Sequence, residues 1–336
     1  MRNRFLASIS ALALVTAVGA QPTAPLAKAK AASSKTWTQP RTSDGQPDLQ
    51  GIWTDSTMTP LERPRALAGK EFFTPQEAAE REKHTLEEVS TDRRDGPAEV
   101  DVNRSYNELW RERGHLLLRT SLIVDPPDGR LPALTPEAQK REQARAEDRR
   151  RRGPDLADSW TDRNLAERCI TRGAPKLPGG YNNNFQIYQT HDSVVIVQEM
   201  IHEARVIRLD SSPHVDAKIR LWMGDSRGHW EGDTLVVDTT NFNDKIISNS
   251  FNCCPAAGSG LHVVERFRRA DADHIDYRYT VEDPNTYTRP WTAEVPMTRS
   301  DERIYEYACH EGNYALPDIL AGARAKEAEA AAAKKK

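Results

Sequence analysis

The stretch His-Ile-Asp-Tyr-Arg-Tyr-Thr-Val-Glu, residues 274–282, alternates apolar and polar side chains without a break. In a β-strand, successive side chains point to opposite faces, so this pattern separates one apolar face from one polar face. The apolar face comprises Ile275, Tyr277, Tyr279 and Val281. Strands with one buried and one solvated face are typical of antiparallel sheets. The stretch therefore predicts an antiparallel strand whose apolar face lines a core.

The same two-residue period recurs in about eight segments between residues 185 and 309, joined by short links. Two of the links, Glu231-Gly232-Asp233 and Asp271-Ala272-Asp273, have the composition of hairpin turns. No link in this range shows a helical period, which the crossovers of a parallel sheet would normally supply. We therefore predict a mainly β fold. An antiparallel meander would close into a barrel with a lipocalin-like calyx, or pack as a sandwich, because closure hides strand edges.

Charged surface helices are predicted in the N-terminal half of the chain. Thr74-Pro75-Gln76-Glu77 has an N-cap threonine, a proline at the first helical position and a glutamate that completes a capping box. Thr135-Pro136-Glu137 repeats this start. The residues that follow each start are mostly charged, which indicates exposed helices. We expect helical insertions at about 74–90 and 135–152 within a single β-rich domain spanning residues 48–320.

Residues 1–20 have the pattern of a secretory signal peptide: Arg2 and Arg4, an apolar stretch, and small residues at 18–20. The apolar stretch is too short to span a bilayer. We expect removal of this segment, a disordered leader at 21–47, and an Ala- and Lys-rich tail at 321–336. These features predict a periplasmic or secreted protein.

The chain contains four cysteines, Cys169, Cys253, Cys254 and Cys309, which an oxidising compartment would allow to pair. Bonding the adjacent Cys253 and Cys254 to each other would strain the backbone. We favour a disulfide between Cys169 and Cys309, because both border the predicted β core. Their spacing does not match a zinc site.

Charge and motif content restrict the classes of partner. A net charge of −3 argues against nucleic acid as the main partner, which usually needs a basic face. No nucleophile elbow, phosphate loop or dinucleotide fingerprint occurs in the sequence. We therefore expect a small-molecule ligand or substrate, without a metal, cofactor or membrane span; the sequence leaves the oligomeric state open.

The strongest candidate for chemistry is the group Glu199, His202, Glu203 and Arg205, which follows the most apolar predicted strand. A carboxyl group that points into a barrel would have a raised pKa and could act as an acid or a base. We predict that Glu199 and His202 are the acid–base pair. His310 would be a second proton carrier, and Arg205 would stabilise an anion. The alternative is an ordinary ion pair at a strand end.

Several aromatic and polar residues are candidate ligand-binding groups near the barrel rim. They are Trp230, Asp238, Asn241, Arg289, Trp291 and Tyr307. Arginine and aromatic side chains suit an anionic or sugar-like ligand, and Arg289 could replace Arg205 as the anion stabiliser. Turn chemistry and ordinary core packing explain the same residues without a ligand.

Two segments resemble those of a known family. Residues 224–237, Gly-Asp-Ser-Arg-Gly-His-Trp-Glu-Gly-Asp-Thr-Leu-Val-Val, resemble a segment shared by a family of exported soil-bacterial proteins. Residues 307–314, Tyr-Ala-Cys-His-Glu-Gly-Asn-Tyr, resemble the terminal segment of that family. The resemblance extends from Gly51 to Arg324. Because the family has no settled function, the resemblance gives weight to these segments but implies no activity.

Taken together, the residues predict an exported, cofactor-independent enzyme that uses carboxylate and histidine acid–base chemistry. It would be a lyase, isomerase or hydrolase acting on a small organic molecule in a barrel pocket. The alternative is a periplasmic binding or carrier protein that uses the same cavity without turnover. A third possibility is a cell-envelope interaction module, which would show an exposed apolar patch and no cavity.

Overall fold

The computed structural model of the protein describes residues 37–92, 107–153, 156–243, 245, 254–255 and 260–334. The helices and strands of these described residues belong to one compact unit, Thr38–Lys336. The predicted signal peptide, the first part of the predicted leader and Cys253 lie outside the described residues. From residue 37 to residue 47 the leader runs in extended and turn conformations, with a β-bridge between Arg41 and Pro47.

In the part of the chain that the structure describes, eleven strands form one continuous sheet. In chain order they are β1 (Gly51–Thr54), β2 (Ile123–Asp125), β3 (Asn184–Gln189), β4 (Ser193–Gln198), β5 (Ala204–Arg208), β6 (Asp225–Glu231), β7 (Thr234–Thr240), β8 (His262–Arg269), β9 (His274–Glu282), β10 (Trp291–Glu294) and β11 (Met297–Arg299). Strand β11 pairs with both β9 and β1, so nine strands close into a barrel, while β10 and β2 extend the sheet from β9. The predicted barrel is confirmed, and the sandwich alternative does not form.

One pairing differs from the predicted antiparallel meander. Strands β5 and β6 are parallel, with Arg208 opposite Arg227, so the barrel is mixed. The connection at residues 209–224 returns the chain to the starting end of β5 through bends and turns, without a helix. The prediction was wrong here because it required a helix for the crossover, whereas length alone is sufficient. The last of the predicted strand segments, at residues 303–309, forms no strand in the described chain, and the short β11 completes the barrel instead.

Three helices lie among the described residues: α1 (Pro75–Val89), α2 (Pro136–Arg152) and α3 (Ala315–Ala333). The start of α1 has the predicted capping box between Thr74 and Glu77, and Thr135 caps α2 through the backbone N–H of Ala138. Helix α3 begins before the predicted tail and buries none of its residues. Among the described helices, none combines the length and the apolar character needed to cross a membrane.

Aromatic side chains fill much of the barrel interior. The predicted apolar face of β9 is buried as expected, with Tyr277 stacked on Phe267 at 4.5 Å between ring centroids. Trp53 is fully buried, and its indole N–H donates to the carbonyl oxygen of Leu49 at 2.9 Å. Such large aromatic side chains supply much of the buried apolar area of a domain.

The predicted disulfide between Cys169 and Cys309 is confirmed, with 5.6 Å between the two Cα atoms. It joins the segment that follows α2 to the segment that precedes α3. These two segments are therefore fixed to each other at one end of the barrel, where the candidate site lies.

Candidate functional site

The interior of the barrel is occupied by a buried ion pair. Arg205 pairs with Glu265, donating to its two carboxylate oxygens, and the hydroxyl of Tyr277 donates to Glu265 Oε1 at 2.7 Å. The cavity beside these groups measures about 10 Å³. That volume holds about one water molecule. Arg205 is thus paired with Glu265 inside the barrel, which corrects its predicted role as the anion stabiliser of an organic ligand.

A second buried ion pair closes the end of the barrel. The Nζ atom of Lys176 lies 3.3 Å from Asp55 Oδ1 and donates to Asn183 Oδ1 at 3.1 Å. Burial raises the pKa of Asp55 to about 6, against the opposing effect of Lys176. The ammonium group also lies 4.9 Å from the ring centroid of Phe185. The segment that carries Lys176 therefore fills this end of the barrel. Side chains that could react with a substrate must lie outside that segment.

At the same end, one tight turn carries two carboxyl groups. Strand β4 ends at Gln198 and β5 begins at Ala204, and a 3-10 turn, Met200–His202, connects them. Ile201 and His202 have φ values of 64° and 45°, in the left-handed region that non-glycine residues rarely adopt. Glu199 and Glu203 flank this turn. Backbone strain of this kind is concentrated at functional sites, although it does not by itself establish one.

Glu203 has the most perturbed carboxyl group of this turn. It accepts hydrogen bonds from the hydroxyl of Thr171 at 2.8 Å and from the backbone N–H of Arg172 at 3.3 Å. Burial nevertheless raises its pKa to about 7, outweighing those bonds and the nearby charges of Arg205 and His202. The residue as a whole is partly rather than fully buried. A carboxyl group that titrates near neutral pH and is only partly buried is suited to donate and accept protons.

Glu199 and His202 complete what we term the barrel-end cluster, which consists of Glu199, His202 and Glu203. Burial raises the pKa of Glu199, although its carboxylate accepts a hydrogen bond from Asn184 Nδ2 at 2.9 Å. His202 is exposed, and its Nδ1 lies 2.8 Å from the carbonyl oxygen of Tyr307. Because a carbonyl oxygen can only accept, Nδ1 carries the proton, and in the neutral ring Nε2 is then a base.

A cleft of about 470 Å³ begins at Tyr307. Its walls include Arg163, Cys309, Asn313 and Leu316, from the two segments that the disulfide joins and from the first turn of α3. Pockets for small organic molecules have volumes of about 300–1,000 Å³. The carbonyl oxygen of Tyr307 contacts His202, so this cleft adjoins the barrel-end cluster.

A second group of titratable side chains lies on the outer face of β6–β9, and we term it the histidine array: His214, Asp225, Asp238, His262 and Glu282. His214 Nδ1 lies 2.9 Å from Asp225, and its Nε2 lies 2.9 Å from Asp238. His262 Nε2 lies 2.8 Å from the other oxygen of Asp238, and its Nδ1 lies 3.1 Å from Glu282. Within the described chain, no group of three or more His, Cys, Asp or Glu side chains has the arrangement of a metal site.

Strand directions place the two groups at the same end of the barrel. Strand β5 is antiparallel to β4 and parallel to β6, so the end of β4 lies at the same edge as the start of β6. Strands β6 to β9 are successively antiparallel. The end of β7, the start of β8 and the end of β9 therefore lie at this edge, and Asp238, His262 and Glu282 occupy those positions.

The structure places the remaining predicted ligand-binding residues in the fold. Trp291 is a core residue, packed edge-on against Tyr279 and Tyr287. Arg289 forms an exposed ion pair with Asp125 at 2.7 Å. Asn241 is buried with a φ of 58°, and its amide donates to three backbone carbonyls of residues 215–219.

Two further predicted residues lie apart from the barrel-end cluster. Trp230 is partly buried and packs against the core. His310 lies in an exposed turn, where its carbonyl oxygen accepts a hydrogen bond from the backbone of Asn313. Neither contact involves the barrel-end cluster. The structure therefore brings Tyr307 into contact with His202 and places the charge of Arg205 near Glu203, whereas these contacts of Trp230 and His310 are made elsewhere.

Of the histidine array, only Asp238 was among the predicted site residues. The register of the β8–β9 hairpin could have identified His262 and Glu282 as neighbours. The hairpin turned through Asp271-Ala272-Asp273 pairs His262 directly with Glu282. Counting outward from the turn in the sequence gives the same pair. His214 lies in the crossover between β5 and β6, and no local pattern indicates which strands that connection contacts.

Comparisons with protein-family models, with curated proteins and with solved structures gave no significant match. Inference about function therefore depends on the geometry of these side chains.

Proposed function

We propose that this chain is an exported, cofactor-independent acid–base enzyme that acts on a small polar organic molecule at the barrel end, as a lyase, isomerase or hydrolase. The observation that carries the proposal is Glu203, whose pKa is raised to about 7 in a residue that is only partly buried. Enzymes commonly tune a catalytic glutamate to this range, because it can then both take and return a proton near neutral pH.

The residues of the barrel-end cluster would have distinct roles. Glu203 in its carboxylate form would remove a proton from the substrate. Burial also raises the pKa of Glu199, so Glu199 would be a second carboxyl group able to exchange a proton with the substrate. His202, oriented by the carbonyl oxygen of Tyr307, would present Nε2 as a second proton carrier. Arg172, whose side chain interacts electrostatically with Tyr307 at the cleft, would replace Arg205 as the cation near the substrate.

The cleft at Tyr307 would hold the substrate, because its volume suits a small organic molecule and it adjoins His202. Export is supported by the disulfide between Cys169 and Cys309, since such bonds persist mainly in oxidising compartments. A periplasmic or secreted location agrees with the signal peptide expected from the sequence.

A binding or carrier protein is the second candidate, and the same cleft favours it, because binding requires a cavity but no titrating group. The two functions differ in what happens to a captured molecule. A carrier would release it unchanged, whereas the enzyme would convert it with a rate that follows the protonation of Glu203.

The test uses the mature chain with a mixture of small esters, lactones and hydroxy acids, analysed by mass spectrometry. We expect turnover that changes near pH 7 and falls about 10²–10⁴-fold in Glu203→Gln, the usual contribution of general acid–base catalysis. The matched control is Glu231→Gln, an exposed glutamate on β6, which should keep full activity. Turnover unaffected by Glu203→Gln would refute the assignment. Tight binding without conversion would favour the carrier.

A further inference from the structure

Two segments of the chain hold the barrel-end cluster in place, and the first comprises residues 169–173. The hydroxyl of Thr171 donates to Glu203 Oε2 at 2.8 Å, and the backbone N–H of Arg172 donates to the same oxygen. Cys169 and Thr171 are both buried. This segment is therefore packed into the fold and gives Glu203 a fixed set of partners.

The second segment, residues 300–314, supplies partners to the other two members of the cluster. The carbonyl oxygen of Tyr307 lies 2.8 Å from His202 Nδ1, and the backbone of Tyr305 hydrogen-bonds to Glu199. Residues 300–314 form no helix or strand, and none of them is buried. A segment with so few buried contacts is weakly held by packing, so individual tethers determine where it lies.

A covalent bond joins the two segments close to both sets of contacts. Cys169 and Cys309 are separated by 140 residues in the chain, so the disulfide, and not chain proximity, brings the segments together. One residue separates Cys309 from Tyr307, and one separates Cys169 from Thr171. Two residues of extended chain span about 7 Å, so the bond closely restricts the position of Tyr307 relative to Glu203.

The other tethers of residues 300–314 lie further from the cluster along the chain. At the start of the segment, the backbone N–H of Ser300 donates to a carbonyl oxygen of β1 at 2.9 Å. Beyond its end, Arg324 of α3 donates to the carbonyl oxygens of residues 157 and 158. Helix α3 itself buries none of its residues. The disulfide is therefore the covalent tether closest to the carbonyl oxygen of Tyr307.

We propose that the disulfide between Cys169 and Cys309 is a positioning bond for the barrel-end cluster. It holds the carbonyl oxygen of Tyr307 against His202, and thereby fixes the imidazole tautomer that leaves Nε2 as a base. His202 is exposed, so without this acceptor its ring would rotate and exchange the proton between its two nitrogens. The consequence for catalysis rests on the proposed function, whereas the effect on the ring does not.

The state of the His202 ring distinguishes a positioning bond from one that only stabilises the fold, which would restrict the unfolded chain and leave the folded geometry unchanged. Nitrogen-15 NMR of the full mature chain reads that state, with the signals assigned by their loss in His202→Gln. At about pH 8, above the ordinary histidine pKa of about 6.5, we expect a proton on Nδ1 and none on Nε2 in the wild type. A wild-type ring protonated on Nε2 would overturn the proposal, and this result requires no variant to fold.

Removing the bond should release the ring. In folded Cys169→Ser/Cys309→Ser, which keeps the disulfide bond of Cys254, we expect signals averaged between the two tautomers of His202. The matched control is Arg324→Gln, which removes the tether on the other side of the same segment and should keep the wild-type ring. A folded double variant whose ring stays protonated on Nδ1 alone would overturn the proposal.

A glycine inserted between Ala308 and Cys309 tests the same inference with the bond intact. It keeps the covalent tether and its stabilising effect but changes the distance from the bond to Tyr307, so we again expect averaged tautomers. The control is a glycine inserted between Glu311 and Gly312, in the exposed turn beyond the bond, which should leave the ring unchanged. If the ring also stays unchanged in the first insertion variant, the bond does not position it.

Turnover connects the positioning bond to the proposed function. Displacing a catalytic group by about 1 Å costs about 10²-fold in rate. We therefore expect the insertion before Cys309 to lower kcat by about that factor, and the insertion after Glu311 to leave it unchanged. An altered ring with full turnover would refute the role of the bond in catalysis. If the wild type shows no turnover, the proposed function fails, while the ring measurements still decide whether the bond positions His202.

Discussion

Replacing Glu203 with glutamine should change the pH dependence of stability in a defined way. The carboxyl pKa rises from 4.5 to about 7 in the fold, a change that corresponds to about 3 kcal/mol. Below pH 4 the group is protonated in both the folded and the unfolded chain, so burying the neutral carboxyl group lowers the unfolding free energy only slightly. As pH rises to about 8, the unfolded carboxyl ionises freely while the folded one resists, and the wild type loses up to about 3 kcal/mol of unfolding free energy. Glutamine does not titrate, so the variant avoids this loss.

Urea unfolding of wild type and Glu203→Gln at several pH values measures this difference. We expect the unfolding free energy of the variant, relative to wild type, to increase by about 3 kcal/mol from about pH 4 to about pH 8. The control is Glu231→Gln, because hydrogen bonding to Arg266 lowers the pKa of Glu231. That control should lose stability relative to wild type as pH rises, the opposite sign. A stability difference for Glu203→Gln that does not change with pH would show that this carboxyl is not desolvated, and the proposed chemistry would lose its basis.

Two further predictions concern groups that hold the barrel end together. Asp55→Ala should lower the unfolding free energy by about 3–5 kcal/mol, because it leaves Lys176 as an uncompensated buried charge. Urea unfolding should show that adding Lys176→Met restores a substantial part of this free energy. If the second substitution restores none of it, the two side chains are not a coupled pair. Changing both Cys169 and Cys309 to serine should cost about 2–5 kcal/mol by releasing a long loop of the unfolded chain. Reductant should destabilise the wild type more than this double variant, in which Cys254 is still disulfide-bonded, and equal responses would contradict the prediction.

The barrel was predictable because its signal is local and repeated. In β9, every second residue from Ile275 to Val281 is buried, as the alternation in the sequence requires. The helix starts at Thr74 and Thr135 could also be predicted from the sequence, since a capping residue acts within one turn of the helix. The parallel pairing of β5 and β6 could not be predicted from the sequence. Residues 209–224 have no periodic pattern that would indicate which end of β5 the chain reaches before β6 begins.

The site was predicted only in part, for reasons of the same kind. Glu199 and His202 follow a buried strand, so sequence order alone placed them at a barrel end. The direction of each side chain depends on the left-handed φ values of Ile201 and His202, which no local sequence pattern indicates. Arg205 illustrates the limit most clearly: its partner Glu265 is on β8, and only the closure of the barrel brings the two together.

That interior pair suggests a final test of how the fold sets the chemistry of Glu203. The positive charge of Arg205 lowers the pKa of Glu203, but Glu265 neutralises most of that charge inside the barrel. Glu265→Gln should therefore expose the charge of Arg205, and the pKa of Glu203 should fall below its wild-type value of about 7. The measurement is the stability difference between Glu203→Gln and its parent, repeated in the Glu265→Gln background. Because the comparison is made within one background, the general destabilisation caused by Glu265→Gln cancels. The pH at which the difference develops should move toward acid, and an unchanged pH would mean that burial alone, without the interior pair, controls Glu203.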